Sequence, residues 1–570
     1  MNLTLRFAFT LVLFLLARSY FIFDSSLTFK GWDSDSAIIG LMATDLYQNG
    51  NFPYYYWGQE YLGPLTSWVS VPIQHVFDFI GTSVSIEKKP YLVHPLTLSI
   101  ASSLVFFTGF FAISEIIRKS YSPFAAYMFL LLACASGSFL AKLSFRPLGH
   151  EALYLCIGML ATSTYYLQKQ PINRVYQVWF GATIALVLWI HHGAMLLLAA
   201  IAVDYGVKHH HKVLKNLLYA AKATFTGGLT PFYAPKNAAL IGLYFLLGLA
   251  VMRITGGFML DFLRLDVDTS IFGIPVRAGN GSKLIKATLI PVVLVLVTMF
   301  LLRHGIDLRP LPSLVKKYSA TLLGFVAIYV TKPIAESLGF FAKSYTFTPR
   351  IAKYDDFLRL DTFILDYLTG FIFPNIDVPI SLTLICILLA SFGYTVYLTV
   401  RANAPKVIRW GCYMGLINTL IILTTGLFIP RYGLLFQLSL FMSLAYIVVL
   451  LITDERYKKT TISLRTMASF SIAAALVIGL AKDQLGLKAQ MQREIPISKE
   501  LESFATGKCQ VYYADYWDAY RIEFLTAGRV KFVPWKSQDR RPRLSAQRQA
   551  SNLTPCWYTK GKISTKGPTM

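Results

Sequence analysis

Acidic residues are scarce in this chain. There are 30 Asp and Glu among 570 residues, and charged residues of both signs make up only 15%. An ordinary soluble domain carries about 25%, so the composition excludes a single soluble core of this size. Cysteine is rarer still: six, scattered, with no CxxC pair, which indicates neither a zinc site nor a disulfide framework. Low-complexity segments are missing, and so is any repeat relating two halves of the chain. Inverted repeats are the usual mark of secondary transporters. No basic helix of groove-reading pattern and no RNA-binding signature occurs, so the excess of basic residues, +24 at pH 7, does not point to nucleic acid.

Apolar residues are abundant instead, at 55% of the chain with 15% aromatic. That excludes disorder and fits a polytopic membrane protein with rings at the lipid–water interfaces. Runs long enough to span a bilayer are read at 3–23, 91–117, 122–141, 150–167, 237–254, 284–302, 318–341, 377–400, 410–429, 433–452 and 466–481. The stretch 176–206 holds His191-His192-Gly193 at its middle. Two polar rings and a glycine there predict a hairpin of two short helices, giving about 13 crossings in all. With a cytoplasmic N-terminus, the short basic loops at 118–119, 169–174, 208–222, 303–317, 401–409 and 456–465 then all lie inside, as the positive-inside rule requires. The alternation fails if 176–206 is one helix. The expected fold class is an all-α polytopic membrane protein with a small C-terminal extracytoplasmic α/β domain. The division falls at 1–481 (transmembrane, with 24–90 as the first external loop) and 482–570 (external).

The 24–90 loop carries seven acids against three Lys. Its strongest segment is Gly31-Trp32-Asp33-Ser34-Asp35-Ser36-Ala37, followed by Ile38, Ile39, Leu41, Met42 and Leu46 at helical spacing and stopped by Asn49-Gly50. This predicts an amphipathic helix lying on the membrane with two carboxylates at its N-terminal end. Asp33, Ser34 or Asp35 is then either simply an N-cap or an acid that takes a proton from an acceptor hydroxyl. The tail has strand-like pieces at Gln510–Tyr513 and Val530–Val533. It also holds Cys509 and Cys556, which an external compartment lets bridge or which stay as two free thiols.

The pattern Asp35-Ser36-Ala37-x-x-Gly40-x-x-Ala43-x-x-Leu46-x-x-x-Gly50, then Gly58-Gln59-Glu60-Tyr61-Leu62-Gly63-Pro64-Leu65, resembles the first external loop of GT-C glycosyltransferases. The nearest type is the protein O-mannosyltransferase and aminoarabinose-transferase-like membrane enzymes. Arg146-Pro147-Leu148-Gly149-His150-Glu151 and Pro430-Arg431-Tyr432 resemble further pieces of that family. The resemblance implies a sugar donor carried on a polyprenyl phosphate, transfer on the extracytoplasmic face without a nucleotide, and Asp35 as the acid that acts as base or orients the acceptor. The aminoarabinose type has Asp-Glu where Asp35-Ser36 stands here, and Glu60 lies one position off the family's second acid.

Charge must develop on the departing phosphate, and arginine's planar fork suits it. Arg431 beside Tyr432 is the first candidate, weighed against simple snorkelling, with Arg146 and Arg350 next and ordinary interfacial anchoring as their bland alternative. Thus Asp35, Asp33 and Glu60 are the expected catalytic acids; Arg431, Tyr432, Arg146, Arg350, His150 and His191 are the expected donor-phosphate or substrate contacts. His150, Glu151, His191 and His192 share one membrane end, where a hydrogen bond from a histidine to loop backbone is favoured over a metal site; no metal or other cofactor is required. Expected partners are the lipid-linked sugar donor, a lipid, glycan or protein acceptor, and membrane lipids. The tail's 16 basic against 8 acidic residues suit an anionic acceptor. The expected location is a bacterial inner (plasma) membrane with the C-terminus outside. The rival is a transporter or flippase of lipid-linked glycans, which needs charged groups at mid-membrane depth; Lys332 and Glu336 in 318–341 are the visible exceptions to otherwise clean spans.

Overall fold

The computed structural model describes residues 2–28, 32–53, 56, 63–84, 93–136, 138–171, 173–209, 269–271, 274–276, 319–329, 374–401, 403–425, 433–453, 462–493, 504, 509, 511–526, 530–534, 555–559 and 562–564. In chain order the helices are α1 (Leu3–Thr28), α2 (Ser34–Asn49), α3 (Leu65–Val84), α4 (Pro95–Ser120), α5 (Pro123–Cys134), α6 (Ser138–Leu143), α7 (Glu151–Lys169), α8 (Arg174–Ile190) and α9 (Met195–His209). The strands β1 (Thr269–Ile271) and β2 (Ile274–Val276) follow, then α10 (Ser319–Tyr329), α11 (Val378–Val400), α12 (Lys406–Thr425), α13 (Leu434–Thr453) and α14 (Ile462–Arg493). The tail contributes β3 (Val511–Ala514), α15 (Tyr516–Leu525), β4 (Lys531–Pro534), β5 (Pro555–Thr559) and β6 (Lys562–Ser564).

Five of the described helices are long and apolar enough to cross a membrane: Leu3–Ser26, Pro95–Ser120, Pro379–Val400, Lys406–Leu423 and Leu434–Thr453. The chain is an integral membrane protein on that evidence. The expected spans 237–254 and 284–302 and most of 318–341, with Lys332 and Glu336, lie outside the described residues. The main core runs through α4, α5, α7, α11, α12 and α13. A close crossing within it is α4 on α7, where a side chain at Gly109 would enter the backbone of Tyr154 and Leu155, and one at Gly158 would reach the Gly109 carbonyl oxygen at 2.8 Å. Close backbone approach over small residues is how membrane helices gain packing contacts.

Two expectations change and a third holds in part. First, α1 continues to Thr28, so Asp24, Ser25 and Ser26 lie inside the helix rather than opening the loop. The Ser26 hydroxyl donates back to the Ile22 carbonyl at 2.6 Å, which satisfies a polar side chain without ending the helix. Second, the run 122–141 is two helices, α5 and α6. The carbonyls freed at the break, Cys134 and Ser136, accept from Gln484 of α14 at 3.2 and 2.8 Å, while Arg18 of α1 donates to the Ser136 hydroxyl at 3.0 Å. Third, 176–206 breaks at His191–Ala194, as its polar centre requires, but the arms have separate partners: α8 packs on α7 and α10, and α9 on α12.

The tail sheet has the order β4-β3-β5-β6, with β3 parallel to both β4 and β5, and β5 antiparallel to β6. Helix α15 is the crossover between parallel β3 and β4, which no tight turn can join. Cys509 and Cys556 are bridged, with Cα atoms 5.7 Å apart. A compact aromatic core of Phe504, Tyr512, Phe532 and Tyr558 fills the sheet face, each such ring contributing about 1.5–3 kcal/mol on full burial. Helical structure extends past residue 481 without interruption, because α14 runs to Arg493.

Candidate active site

The C-terminal end of α1, the N-terminal ends of α2, α4 and α7, and the C-terminal end of α8 meet at one end of the helix bundle. Hydrogen bonds between them hold the place together. Trp32 donates its indole N–H to Ser25 of α1 at 3.1 Å, and Ser67 of α3 donates to the Ile39 carbonyl of α2 at 3.0 Å. Gly63 donates its backbone N–H to the Ile190 carbonyl, the last residue of α8, at 2.7 Å.

Asp33 is the N-cap of α2. Its Oδ1 accepts from the Ser36 N–H at 2.9 Å with extended backbone at the cap, and the helix closes at Gly50 in the left-handed conformation. Asp35 sits in the first turn, half-buried, and Tyr56 donates its hydroxyl to the Asp35 carbonyl at 3.1 Å and to its Oδ1 at 3.2 Å. Desolvation chiefly, and next the negative charge of Asp35, raise the Asp33 carboxyl above the ordinary range, against the pull of the Ser36 bonds and the Arg146 cation.

The expected surface position of α2 is overturned. Residues 36–44 are buried almost without interruption, because α3 covers one side and α15 of the tail another. Trp32, Ile38, Ile39, Met42, Tyr56, Tyr520 and Phe524 form a single apolar cluster there. A helix apolar enough for lipid is here clad in protein.

Arg146 lies in the turn between α6 and α7, only 8% exposed, with its guanidinium 5.7 Å from the centre of the Phe145 ring. That burial is not the solvated pose of an interfacial anchor. Glu151, the first residue of α7, is fully buried. Its Oε1 accepts from Thr66 at 2.5 Å and Ser102 at 3.5 Å, and its Oε2 from the Leu148 N–H at 3.2 Å. It thereby knits α3, α4 and the turn to one another. His150 Nδ1 and His191 Nε2 are 3.3 Å apart, and the Gly193 N–H donates to His191 Nδ1 at 3.1 Å. The Gly193 N–H bond makes His191 Nδ1 an acceptor, which leaves a ring proton on Nε2, the nitrogen that faces His150. Among the described residues no group of three or more His, Cys, Asp or Glu is placed to hold a metal ion.

Asp33, Asp35, Arg146, His150 and His191 therefore gather at one bundle end. Glu60, Arg350, Arg431 and Tyr432 lie outside the described residues. Sequence reasoning did not single out Tyr56, Thr66, Ser102 or Phe524. Tyr56 stands in the run Tyr54-Tyr55-Tyr56-Trp57, where nothing local marks which ring turns to the acid.

No protein-family model matches the chain, and no curated protein does. Similar solved structures include the apo oligosaccharyltransferase of Archaeoglobus fulgidus (TM-score 0.46, 13% identity, 93% of this chain and 64% of that one). Another is the oligosaccharyltransferase AglB of the same organism in complex with an inhibitory peptide and a dolichol-phosphate (0.46, 14%, 92% and 64%). A third is ArnT from Cupriavidus metallidurans bound to undecaprenyl phosphate (0.34, 12%, 94% and 87%). These are GT-C glycosyltransferases, the class whose loop-one motif the sequence resembles. The chain spans less than two thirds of the length of the archaeal enzymes. At such identities and TM-scores, what the chain does rests on its own residues.

Proposed function

We propose that this protein is a membrane glycosyltransferase that moves a sugar from a polyprenyl-phosphate donor to an acceptor hydroxyl on the extracytoplasmic face, with about 13 transmembrane helices. The observation that carries the reading is the half-buried Asp35 carboxylate, oriented by Tyr56 at the bundle end where Arg146 is also buried. Asp35 takes the acceptor hydroxyl's proton as the acceptor oxygen forms its bond to the anomeric carbon. The bond from that carbon to the phosphate oxygen breaks on the opposite side, and the polyprenyl phosphate leaves with the electron pair. Configuration at the anomeric carbon inverts. Arg146, with Arg431 and Arg350, stabilises the charge growing on the phosphate. His150 and His191, with Nδ1 and Nε2 3.3 Å apart, stand together as substrate contacts. Asp33 caps the helix that presents Asp35, and Glu60 is a second acid of loop one.

A transporter would line a path with its intramembrane charges. Three buried charged groups in the described helices, Arg18, Arg409 and Asp204, are enclosed by protein instead. Arg18 is bonded into the α5–α6 break, and Arg409 of α12 clasps Asp204 of α9 with two hydrogen bonds, at 2.5 and 3.0 Å.

Purified protein assayed for sugar release from a lipid-phosphate donor tests the reading. Asp35→Asn is expected to lose at least 100-fold in rate, on the scale of general-base removal, and Arg146→Ala and Arg431→Ala to lose rate without loss of folded protein. A folded Asp35→Asn protein of near wild-type rate would overturn the assignment. So would a reporter-fusion map placing loop one in the cytoplasm.

A further inference from the structure

Helix α15 has two apolar faces. Ala519 and Ile522 belong to the core of the tail sheet, while Tyr520 and Phe524, one turn apart, belong to the loop-one cluster. The same ten-residue helix is thus shared between the external domain and the segment that bears the carboxylates.

Phe524 is fully buried, and it touches Trp32, just ahead of α2, and Gly40 within it, two points that bracket the acids. Its ring lies nearly parallel to that of Trp32, 5.4 Å between centres and 9° between planes; Trp32 immediately precedes Asp33. The same ring fills the space over Gly40, where a β-carbon would come within 2.6 Å of Cζ, 2.9 Å of Cδ2 and closer still to Cε2. Gly40 lies just beyond one helical turn after Asp35. The turn carrying Asp33 and Asp35 is therefore held at both ends by one aromatic side chain from the far end of the sequence. Trp32 is fixed in turn by its bond to Ser25 of α1.

We propose that Phe524 of the C-terminal domain is a positioning residue for the loop-one carboxylates, setting the N-terminal turn of α2 through Trp32 and Gly40. This rests on the base role of Asp35. It gives the external domain a part in turnover besides any contact with acceptor, because a shift of α15 reaches Asp35 through rigid packing. A misplacement of the base by about 1 Å costs on the order of 100-fold in rate.

The test is a compensating pair in the full-length protein. Gly40→Ala pushes a methyl group against the outer ring atoms of Phe524. Phe524→Leu removes those atoms and keeps an apolar group. Gly40→Ala is expected to lower kcat at least tenfold, to leave the donor KM within about twofold, and to move the acid limb of the pH–rate profile. Phe524→Leu alone, which loses the stack on Trp32, is expected to lower kcat about threefold with the donor KM unchanged, and the double variant to recover rate and profile to that level; a fully active Phe524→Leu overturns the positioning role. Near-UV circular dichroism and the elution profile identify folded protein in each case. Full activity in folded Gly40→Ala, or a double variant no better than Gly40→Ala, overturns the positioning role alone when Asp35→Asn is inactive. An active Asp35→Asn overturns the base assignment, and the positioning role with it.

Discussion

At Asp33 two demands meet in one side chain: the cap needs an acceptor, and the site withholds water from the charge. Asn accepts as well as Asp at an N-cap, whereas Ala costs about 1 kcal/mol. Because the folded-state value is raised, the contribution of Asp33 to stability is complete below the unfolded Asp value and is lost as pH rises through the folded one. Asp33→Asn should therefore match or exceed wild-type thermal stability at pH 7 and flatten that fall, while Asp33→Ala should melt lower at every pH. Detergent-solubilised melts from pH 4 to 8 measure both. At Tyr56 the hydroxyl donates to the Asp35 carboxylate. Tyr56→Phe is expected to reduce kcat/KM by about fivefold, the worth of one hydrogen bond near 1 kcal/mol, with little change in stability.

At the scale of elements, the crossing of α4 and α7 decides how the ends of both helices, and hence Ser102, His150 and Glu151, are placed. Gly109→Leu would drive a side chain into the Tyr154 backbone and should abolish folded yield in a fluorescence-detected elution assay. Gly393→Ala on α11 meets nothing within 4 Å and should elute as wild type, gaining the few tenths to 1 kcal/mol by which Ala exceeds Gly in a helix. What was legible beforehand follows the same logic. Long apolar runs gave α4, α11, α12 and α13 within a few residues, since length and hydropathy alone mark a membrane helix. The α2 boundaries were legible from Asp33 and Asn49-Gly50, which satisfy the helix ends locally. Helix α3 was not, because its Ser, Gln, His and Asp residues and Pro72 blur both the apolar run and the helical signal. Nor was the burial of α2, which depends on Phe524, a residue remote in sequence that no local pattern connects to Gly40. The pairings of Glu151 with Thr66 and of Asp204 with Arg409 are long-range for the same reason.

For the molecule as a whole, the disulfide closes 47 residues of the tail. Chain entropy alone gives a loop of that size about 4 kcal/mol. Replacing Cys509 and Cys556 with Ser should lower the melting point of the tail, and turnover should fall with it as α15 loses its foundation. Near-UV circular dichroism and sugar release followed over one temperature series check that the two decline together.

The stack of Phe524 on Trp32 also has a consequence in time. The two ends of that contact are nearly 500 residues apart in the chain, and a ribosome adding about 5–20 residues per second needs roughly 25–100 s to go from one to the other. Throughout that interval α2 lacks the part of its cover that α15 supplies. Its apolar flank must rest on something, and the adjacent bilayer surface is at hand from the moment α1 inserts. A membrane-lying α2, as the periodicity of Ile38, Leu41 and Met42 describes it, is then the nascent form, and α15 displaces lipid when it docks.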